Sequence, residues 1–246
     1  MNVLAIGCHP DDIEIACAGT LAKFVKQGHN VTVCHVANGD MGHVEIMPPE
    51  LRAMRIEEAK KAGAMAGIKV VTCDIGDLVV YSDDRTQRDK VVDVIRAAQP
   101  DLIITHSPDD YMPDHVIAVD IATENLLPQG GHQAYRGRVE VCVDHHVSND
   151  GYAREVTPIY YMDTLAGVGF TPEEYVDVSE FIDLKLSMLE CHVSQMKWMR
   201  EHDHIDFAEF VKTCARFRGL QCGVQYAEAF SVCRMHGKVV PARLLP

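Results

Sequence analysis

Two short segments of the chain combine histidines with aspartates in a pattern suited to holding a metal ion. The first, "HPDD", ends at Asp12, and the second, "PDH", ends at His115. His9 and Asp12 are three residues apart, so at a strand-to-helix turn their side chains can point the same way. Two neutral imidazoles and one carboxylate form a typical catalytic zinc set, because three protein ligands leave a position open for water. We therefore predict that His9, Asp12 and His115 bind one Zn²⁺ ion per chain, at a site that other divalent metals can also occupy.

Asp11 lies beside a predicted metal ligand, but the turn should point its side chain in another direction. Zinc lowers the pKa of bound water to about 7, and Asp11 is placed to accept the proton of that water as a general base. A simpler interpretation is that Asp11 or Asp12 only caps the first helix. The matching segment that ends at His115 favours the metal site over this interpretation.

The residues around these segments predict an α/β fold, because short apolar runs alternate with helical patterns through the first half of the chain. We predict strands at 2–8, 30–38, 69–76, 101–107, 137–146 and 158–165. We predict helices at 48–67 and 88–99, and one long helix at 180–202. Residues 1–246 are expected to form a single domain, with the metal motifs in 1–128 and the remaining strands, long helix and C-terminal segment in 129–246.

The predicted topology brings the two metal segments together. In doubly wound sheets, ligands bind beyond the carboxyl ends of the strands where the winding reverses, commonly between the first and fourth strands. "HPDD" follows the first predicted strand and "PDH" comes shortly after the fourth. The segments are therefore expected to face each other across one crevice.

Composition excludes several classes of function. The formal net charge is −13, with 23 Lys and Arg against 36 Asp and Glu. This balance argues against binding to nucleic acid or to an anionic membrane surface. No apolar run approaches the ~20 residues of a membrane span, and the first strand pattern begins too early to leave room for a leader. The nine cysteines contain no C-x-x-C pair, so we expect reduced thiols and a cytoplasmic protein.

These motifs, with the later segments "CHVSQ" and "GVQYAEAF", resemble the LmbE-like or PIG-L-type zinc de-N-acetylases from Val3 to about Val232. The resemblance implies a Rossmann-like, doubly wound, mostly parallel sheet flanked by helices. It also implies a mononuclear zinc site and hydrolysis of the N-acetyl group of an N-acetylglucosamine-type sugar or conjugate. The family pattern makes Asp11 the base and Arg55 a substrate-contacting residue, and it implies a homo-oligomer such as a trimer or hexamer.

One position departs from the family pattern. The family usually has a histidine, implied to stabilise the oxyanion, where this chain has Met112. A thioether cannot donate a hydrogen bond, and loss of one oxyanion donor costs about 2.7–4 kcal/mol of barrier. Asp114 loses its usual partner and is predicted to orient another side chain near the metal. The candidate replacement donors are Tyr111, His106, His145, His146 and His192.

Other functions remain open from sequence alone. A DHH-type phosphoesterase would use two manganese ions and the "DHH" segment at 144–146, whereas the deacetylase needs one zinc. A sugar-binding protein that retains zinc but turns over weakly is the alternative suggested by Met112. A nicotinamide-binding protein is disfavoured because the first turn lacks G-x-G-x-x-G.

Overall fold

The structure, a computed structural model, describes residues 1–124, 157–234 and 242–246. Its strands are β1 (Asn2–Gly7), β2 (Asn30–Ala37), β3 (Lys69–Ile75), β4 (Leu102–Thr105), β5 (Ile159–Met162), β6 (Glu174–Asp177) and β7 (Ala227–Val232). Within the described ranges they form one seven-stranded sheet in the order β3-β2-β1-β4-β5-β7-β6. The first five strands pair in parallel, and β7 pairs antiparallel with β5 and β6. The predicted doubly wound, mostly parallel sheet is confirmed, while the strand predicted at 137–146 lies outside the described residues.

Helices cover both faces of this sheet. They are α1 (Asp12–Ala16), α2 (Ala18–Lys26), α3 (Pro48–Met65), α4 (Arg85–Ala98), α5 (Pro113–Glu124), α6 (Ile182–Leu189), α7 (Val193–Glu201) and α8 (Phe207–Cys222). The helix predicted at 48–67 corresponds to α3, which has prolines in its first turn and is followed by Gly67 at a φ of 70°. No helix in the described ranges is long and apolar enough to cross a bilayer.

β1 is buried on both faces, because its side chains alternate between two hydrophobic clusters. Val3 and Ala5 pack in one cluster, and Leu4 and Ile6 pack in the other. This alternation follows from the two-residue period of a strand, and burial on both faces is typical of parallel sheets. Since β1 and β4 are neighbours at the centre of the sheet, the turns that follow them are held at one edge.

The prediction of a single long helix at 180–202 is wrong, because the chain forms α6 and α7 with a break at Glu190, Cys191 and His192. His192 is fully buried, and its Nε2 lies 3.4 Å from Glu14 Oε2. The amide and hydroxyl of Ser194 donate hydrogen bonds to Glu58 at 2.8 and 2.7 Å. These long-range contacts stabilise a break that local helical periodicity does not reveal.

The antiparallel edge formed by β6 and β7 was not predicted from the sequence. Its main anchor is Glu228 on β7, which is buried and accepts hydrogen bonds from the amides of Gly19 and Thr20 at 2.9 and 2.7 Å. Lys185 on α6 lies 2.5 Å from the same carboxylate. The edge is therefore tied to the start of α2, close to the turn that follows β1.

Candidate metal centre and active site

The turn after β1 places Asp11 and Asp12 in different surroundings. Asp11 has a φ of 123°, in a region that residues other than glycine rarely occupy. Asp12 is the first residue of α1, and its Oδ2 accepts a hydrogen bond from the His9 amide at 2.6 Å. The Asp11 carboxylate instead lies 3.0 Å from Arg55 Nη2 on α3. The unusual backbone conformation thus directs two neighbouring carboxylates to different partners.

The structure brings together His9, Asp12 and His115, the three residues predicted to bind metal. Their ligand atoms all lie within 4.8 Å of one another. Asp12 Oδ1 is 3.4 Å from His115 Nε2, and Asp12 Oδ2 is 3.7 Å from His9 Nδ1. Two further groups within the described ranges have metal-ligand spacing, namely Cys8 with His9 and Asp114, and His106 with Asp110 and His115. Both share a histidine with the predicted set.

His115 is oriented by Asp110, a residue that the sequence analysis did not single out. His115 Nδ1 lies 3.0 Å from Asp110 Oδ2, while His115 Nε2 is buried without a hydrogen-bond partner. A partnerless ring nitrogen that faces a carboxylate fits a metal ligand, and a carboxylate on the other nitrogen is the usual support for one. Burial lowers the pKa of His115, but Asp12 and Asp110 raise it to a net value of about 10. Metal binding would therefore displace a proton from this ring.

Asp114 lies beside His9, its Oδ2 being 3.4 Å from His9 Nε2. The same oxygen accepts a hydrogen bond from the Leu78 amide at 3.2 Å. His9 therefore has a carboxylate on one ring nitrogen and faces Asp12 with the other. This is the kind of orienting contact that the sequence predicts for Asp114.

The two neighbouring carboxylates differ in acidity. Burial raises the pKa of Asp12, but His115 and His106 lower it to well below its usual range. Burial raises the pKa of Asp11, and the Arg55 guanidinium offsets that rise only in part. Two carboxyl groups whose environments push their pKa values apart are a recurring feature of acid–base sites. The arrangement suits Asp12 to binding a cation and Asp11 to exchanging a proton.

Arg55 is buried, with 3% of its surface exposed, and its hydrogen bonds go to the protein. Besides the Asp11 carboxylate, it binds the carbonyl oxygens of Pro10 and Gly39, the latter at 3.2 Å. Gly39 has a φ of 77°, and a Cβ there would lie 2.5 Å from Arg55 Nη1. Two of its five N–H groups remain for the contact predicted between Arg55 and substrate. They are the Nε–H, which is buried without a partner, and the second N–H of Nη1.

Among the described residues, the candidate donors for the role that Met112 cannot fill either have other partners or are largely exposed. Met112 lines the cleft, and His106 also lines it but accepts a hydrogen bond from the Cys8 amide at 2.9 Å. Tyr111 is 51% exposed, and His192 is buried against Glu14. His145 and His146, and with them the "DHH" segment, lie outside the described residues.

The predicted ligands open on a cleft of about 420 Å³, a size typical of small-molecule sites. One part of its lining is apolar and was missed from the sequence, because it is assembled from four elements. Its residues are Ile15 on α1, Leu165 in a 3₁₀ turn after β5, Met199 on α7 and Phe207 on α8. No local motif marks such a surface.

The sheet is doubly wound, and at its switch point two histidines and one aspartate cluster beside a separate carboxylate. This combination defines a class of metal-dependent hydrolase-like proteins. Residues 4–126 match the family described as PIG-L: GlcNAc-PI de-N-acetylase, and the chain belongs to this family. The family resemblance inferred from the motifs is confirmed.

Comparison with individual proteins adds two kinds of relative. The chain is 28% identical over 237 residues to a diacetylchitobiose deacetylase of Thermococcus kodakarensis, across 92% of this chain and 81% of that protein. It is 23% identical over 205 residues to a 4-oxalmesaconate hydratase of Pseudomonas putida, across 79% of this chain and 74% of that protein. A solved structure with the same fold is that of GalB, the 4-carboxy-2-hydroxymuconate hydratase from P. putida KT2440. It superposes on this chain with a TM-score of 0.78 at 22% sequence identity, and the match covers 99% of this chain and 100% of GalB. The structural likeness shows the shared fold.

Proposed function

We propose that this protein is a metal-dependent N-deacetylase acting on an N-acetylglucosamine-type sugar or conjugate. Water adds to the acetamide carbonyl, the C–N bond breaks, and acetate and the free amine are released. The observation that carries the proposal is the placement of two neighbouring aspartates, one facing His9 and His115 and the other held by the buried Arg55. Family membership and the deacetylase relative support it.

His9, Asp12 and His115 would hold one Zn²⁺ ion per chain, and other divalent metals suit the same ligands. The buried, partnerless Nε2 of His115 supports this assignment. When bound, zinc acts as a Lewis acid and makes water a nucleophile near neutral pH.

The side chains of the protein manage the protons of the reaction. Asp11 would accept a proton from the attacking water and then deliver it to the amine nitrogen as the C–N bond breaks. Arg55 would hold the Asp11 carboxylate in place through their 3.0 Å ion pair.

Met112 lines the cleft but offers no donor to the developing oxyanion. Replacing Met112 with His should therefore raise kcat, whereas an unchanged rate would mean that another donor already serves.

The decisive experiment is acetate release from methyl N-acetylglucosaminide by the zinc-loaded protein and its Asp11→Asn variant. We expect the variant to lose about 10²–10⁴ in kcat, the usual contribution of general acid–base catalysis, while its zinc content stays the same. Asp183→Asn, at an exposed position on α6, is the matched control. Equal rates for wild type and Asp11→Asn would overturn the proposed mechanism.

Hydration of a carbon–carbon double bond is a second candidate, favoured by the hydratase relative and by the missing donor at Met112. It predicts loss of the ultraviolet absorbance of an unsaturated, conjugated polycarboxylate on incubation with the zinc-loaded protein. The aspartate-rich lining of the cleft favours the deacetylase, because polycarboxylates are anionic.

The proposal includes a cytoplasmic homo-oligomer. Buried free thiols such as Cys8, Cys17 and Cys34 suit a reducing compartment. Exposed apolar side chains at Met41, Val44 and Met47 suit a subunit contact near the cleft. Light scattering of the purified protein tests the oligomeric state.

A further inference from the structure

We infer that the substrate carries an uncharged, apolar group on the amine side of its acetamide, such as an alkyl or aryl aglycone. This inference rests on the proposed deacetylase function. It concerns the apolar wall of the cleft, defined as Ile15, Leu165, Met199 and Phe207.

The apolar wall belongs to a continuous hydrophobic cluster and is not a scatter of separate side chains. Phe207 is buried in that cluster with Leu189 and Val211, and the other three wall residues pack against it while remaining partly exposed. A packed apolar cluster that opens on a cleft can bind an apolar group with little reorganisation. Exposed apolar surface in a concave site commonly marks the position of a ligand.

The apolar wall adjoins the predicted metal ligands. Ile15 is three residues after Asp12 on α1, so the two side chains lie on neighbouring positions of one helical turn. A substrate whose acetamide lies at Asp12 would therefore extend across Ile15 toward Met199 and Phe207.

The size of the apolar wall indicates which part of the substrate it contacts. Three large, partly exposed side chains and the cleft-lining edge of the buried Phe207 span more apolar surface than the single methyl of an acetyl group can cover. Since a deacetylase releases only that methyl with the acyl carbon, the larger apolar group must be attached on the amine side.

The charges of the cleft argue that this group is uncharged. Among the described residues that line the cleft, the acidic ones are Asp11, Asp12, Asp77, Asp110, Asp114 and Asp163. Arg55, the arginine among these described lining residues, is paired with Asp11, and Arg218 pairs with Asp163 at 2.6 Å. A bound divalent cation would still leave the described part of the lining net negative. Phosphate or carboxylate groups are therefore disfavoured by electrostatic repulsion.

The test compares acetate release from the methyl, butyl and hexyl β-glycosides of N-acetylglucosamine and from its 1-phosphate, using the zinc-loaded full-length protein. Burying one methylene favours binding about fourfold, so partial burial should raise kcat/KM at least about tenfold from methyl to hexyl. The 1-phosphate should react at least about tenfold more slowly than the methyl glycoside, and added salt should narrow that gap.

Variants of the apolar wall connect the preference to its side chains. Met199→Gln and Leu165→Asn, both at partly exposed positions, should each lower the hexyl-to-methyl ratio of kcat/KM at least threefold. Leu220→Gln, at an exposed leucine outside the cleft, is the matched control and should leave the ratio unchanged.

Calorimetric binding of the same glycosides separates the inference from the proposed function. If the methyl glycoside is deacetylated but the hexyl-to-methyl ratio stays near one, the inference is overturned and the function stands. If no glycoside releases acetate but affinity still rises with alkyl length, the deacetylase proposal fails and the apolar subsite stands. Faster hydrolysis of N-hexanoylglucosamine than of the hexyl N-acetylglucosaminide would place the acyl chain on the wall and overturn the inference.

Discussion

Replacement of Arg55 by Met tests whether the buried guanidinium holds the Asp11 turn together. In the native protein this group lies 3.0 Å from Asp11 Oδ2 and also binds the carbonyl oxygens of Pro10 and Gly39. Methionine fills a similar volume but donates no hydrogen bond. The variant therefore leaves one buried carboxylate and two buried carbonyl groups without this partner.

The expected loss is large because the pair is buried. At 3.0 Å and an effective dielectric constant of about 20, the Coulomb attraction is about 5–6 kcal/mol before desolvation is subtracted. Removing one partner of a buried ion pair typically costs about 3–5 kcal/mol. We expect the free energy of unfolding of Arg55→Met to fall by about this amount at pH 7. The loss in the double variant Asp11→Asn/Arg55→Met should be smaller than the sum of the single losses.

The assay is urea unfolding of the wild type, both single variants and the double variant. Arg52→Met is the control, because Arg52 is on the same helix and pairs with Asp74 at a much more exposed site. Without Arg55, the folded-state pKa of Asp11 should rise further above its unfolded value. The folded variant then binds more protons than the folded wild type, so the deficit should grow as pH rises above the already raised pKa of Asp11 in the wild type.

Two results would refute this reasoning. One is a loss for Arg55→Met no greater than that for Arg52→Met. The other is a double variant whose loss equals the sum of the single losses, because additivity would mean that Arg55 and Asp11 do not interact.

Three further predictions follow from individual contacts. Asp110→Asn should weaken zinc binding about 10–100-fold, because it removes the carboxylate on His115 Nδ1; competition with a chromophoric chelator measures this, with exposed Asp109→Asn as control. His35 is buried, and desolvation is the main reason that its pKa falls from 6.5 to about 4. Because the folded state keeps this histidine neutral, the protein should lose about 2–3 kcal/mol of stability through His35 as pH falls from 7 to 4.5. His35→Gln should flatten that dependence in urea unfolding. Gly39→Ala should lower both stability and kcat, because its Cβ would clash with Arg55.

Each of these predictions has a specific contrary result. Equal zinc affinity for Asp110→Asn and Asp109→Asn would mean that the carboxylate does not support His115. An unchanged pH dependence in His35→Gln would assign the acid sensitivity to other groups. Gly28 has a similarly positive φ of 85°, but a methyl there would meet open space. An equal loss for Gly28→Ala and Gly39→Ala would therefore mean that backbone strain, and not the clash with Arg55, causes the effect of Gly39→Ala.

Much of the sheet and the predicted metal set could be anticipated from the sequence. β1 to β4 are short apolar runs, and the residues that follow β1 and β4 carry the histidines and aspartates. Because carboxyl ends of parallel strands share one edge, local patterns were enough to expect these groups to meet. The roles of the residues in catalysis remain predictions.

Other parts of the fold were not visible in local patterns. The break at His192 follows from its burial against Glu14, which is 178 residues earlier in the chain by number. The edge strands β6 and β7 have only four and six residues and were not distinguished from loops. Asp110 is adjacent to Asp109 in the sequence, and only the folded position of His115 shows which of the two supports the imidazole.

The sequence alone determined which residue types stand at the switch point, because strand periodicity and turn position are encoded by neighbouring residues. Tertiary structure decided that Asp11 pairs with Arg55, that Asp110 orients His115, and that four distant side chains form the apolar wall. Those contacts join residues from separate elements, and their geometry depends on how the helices pack against the sheet.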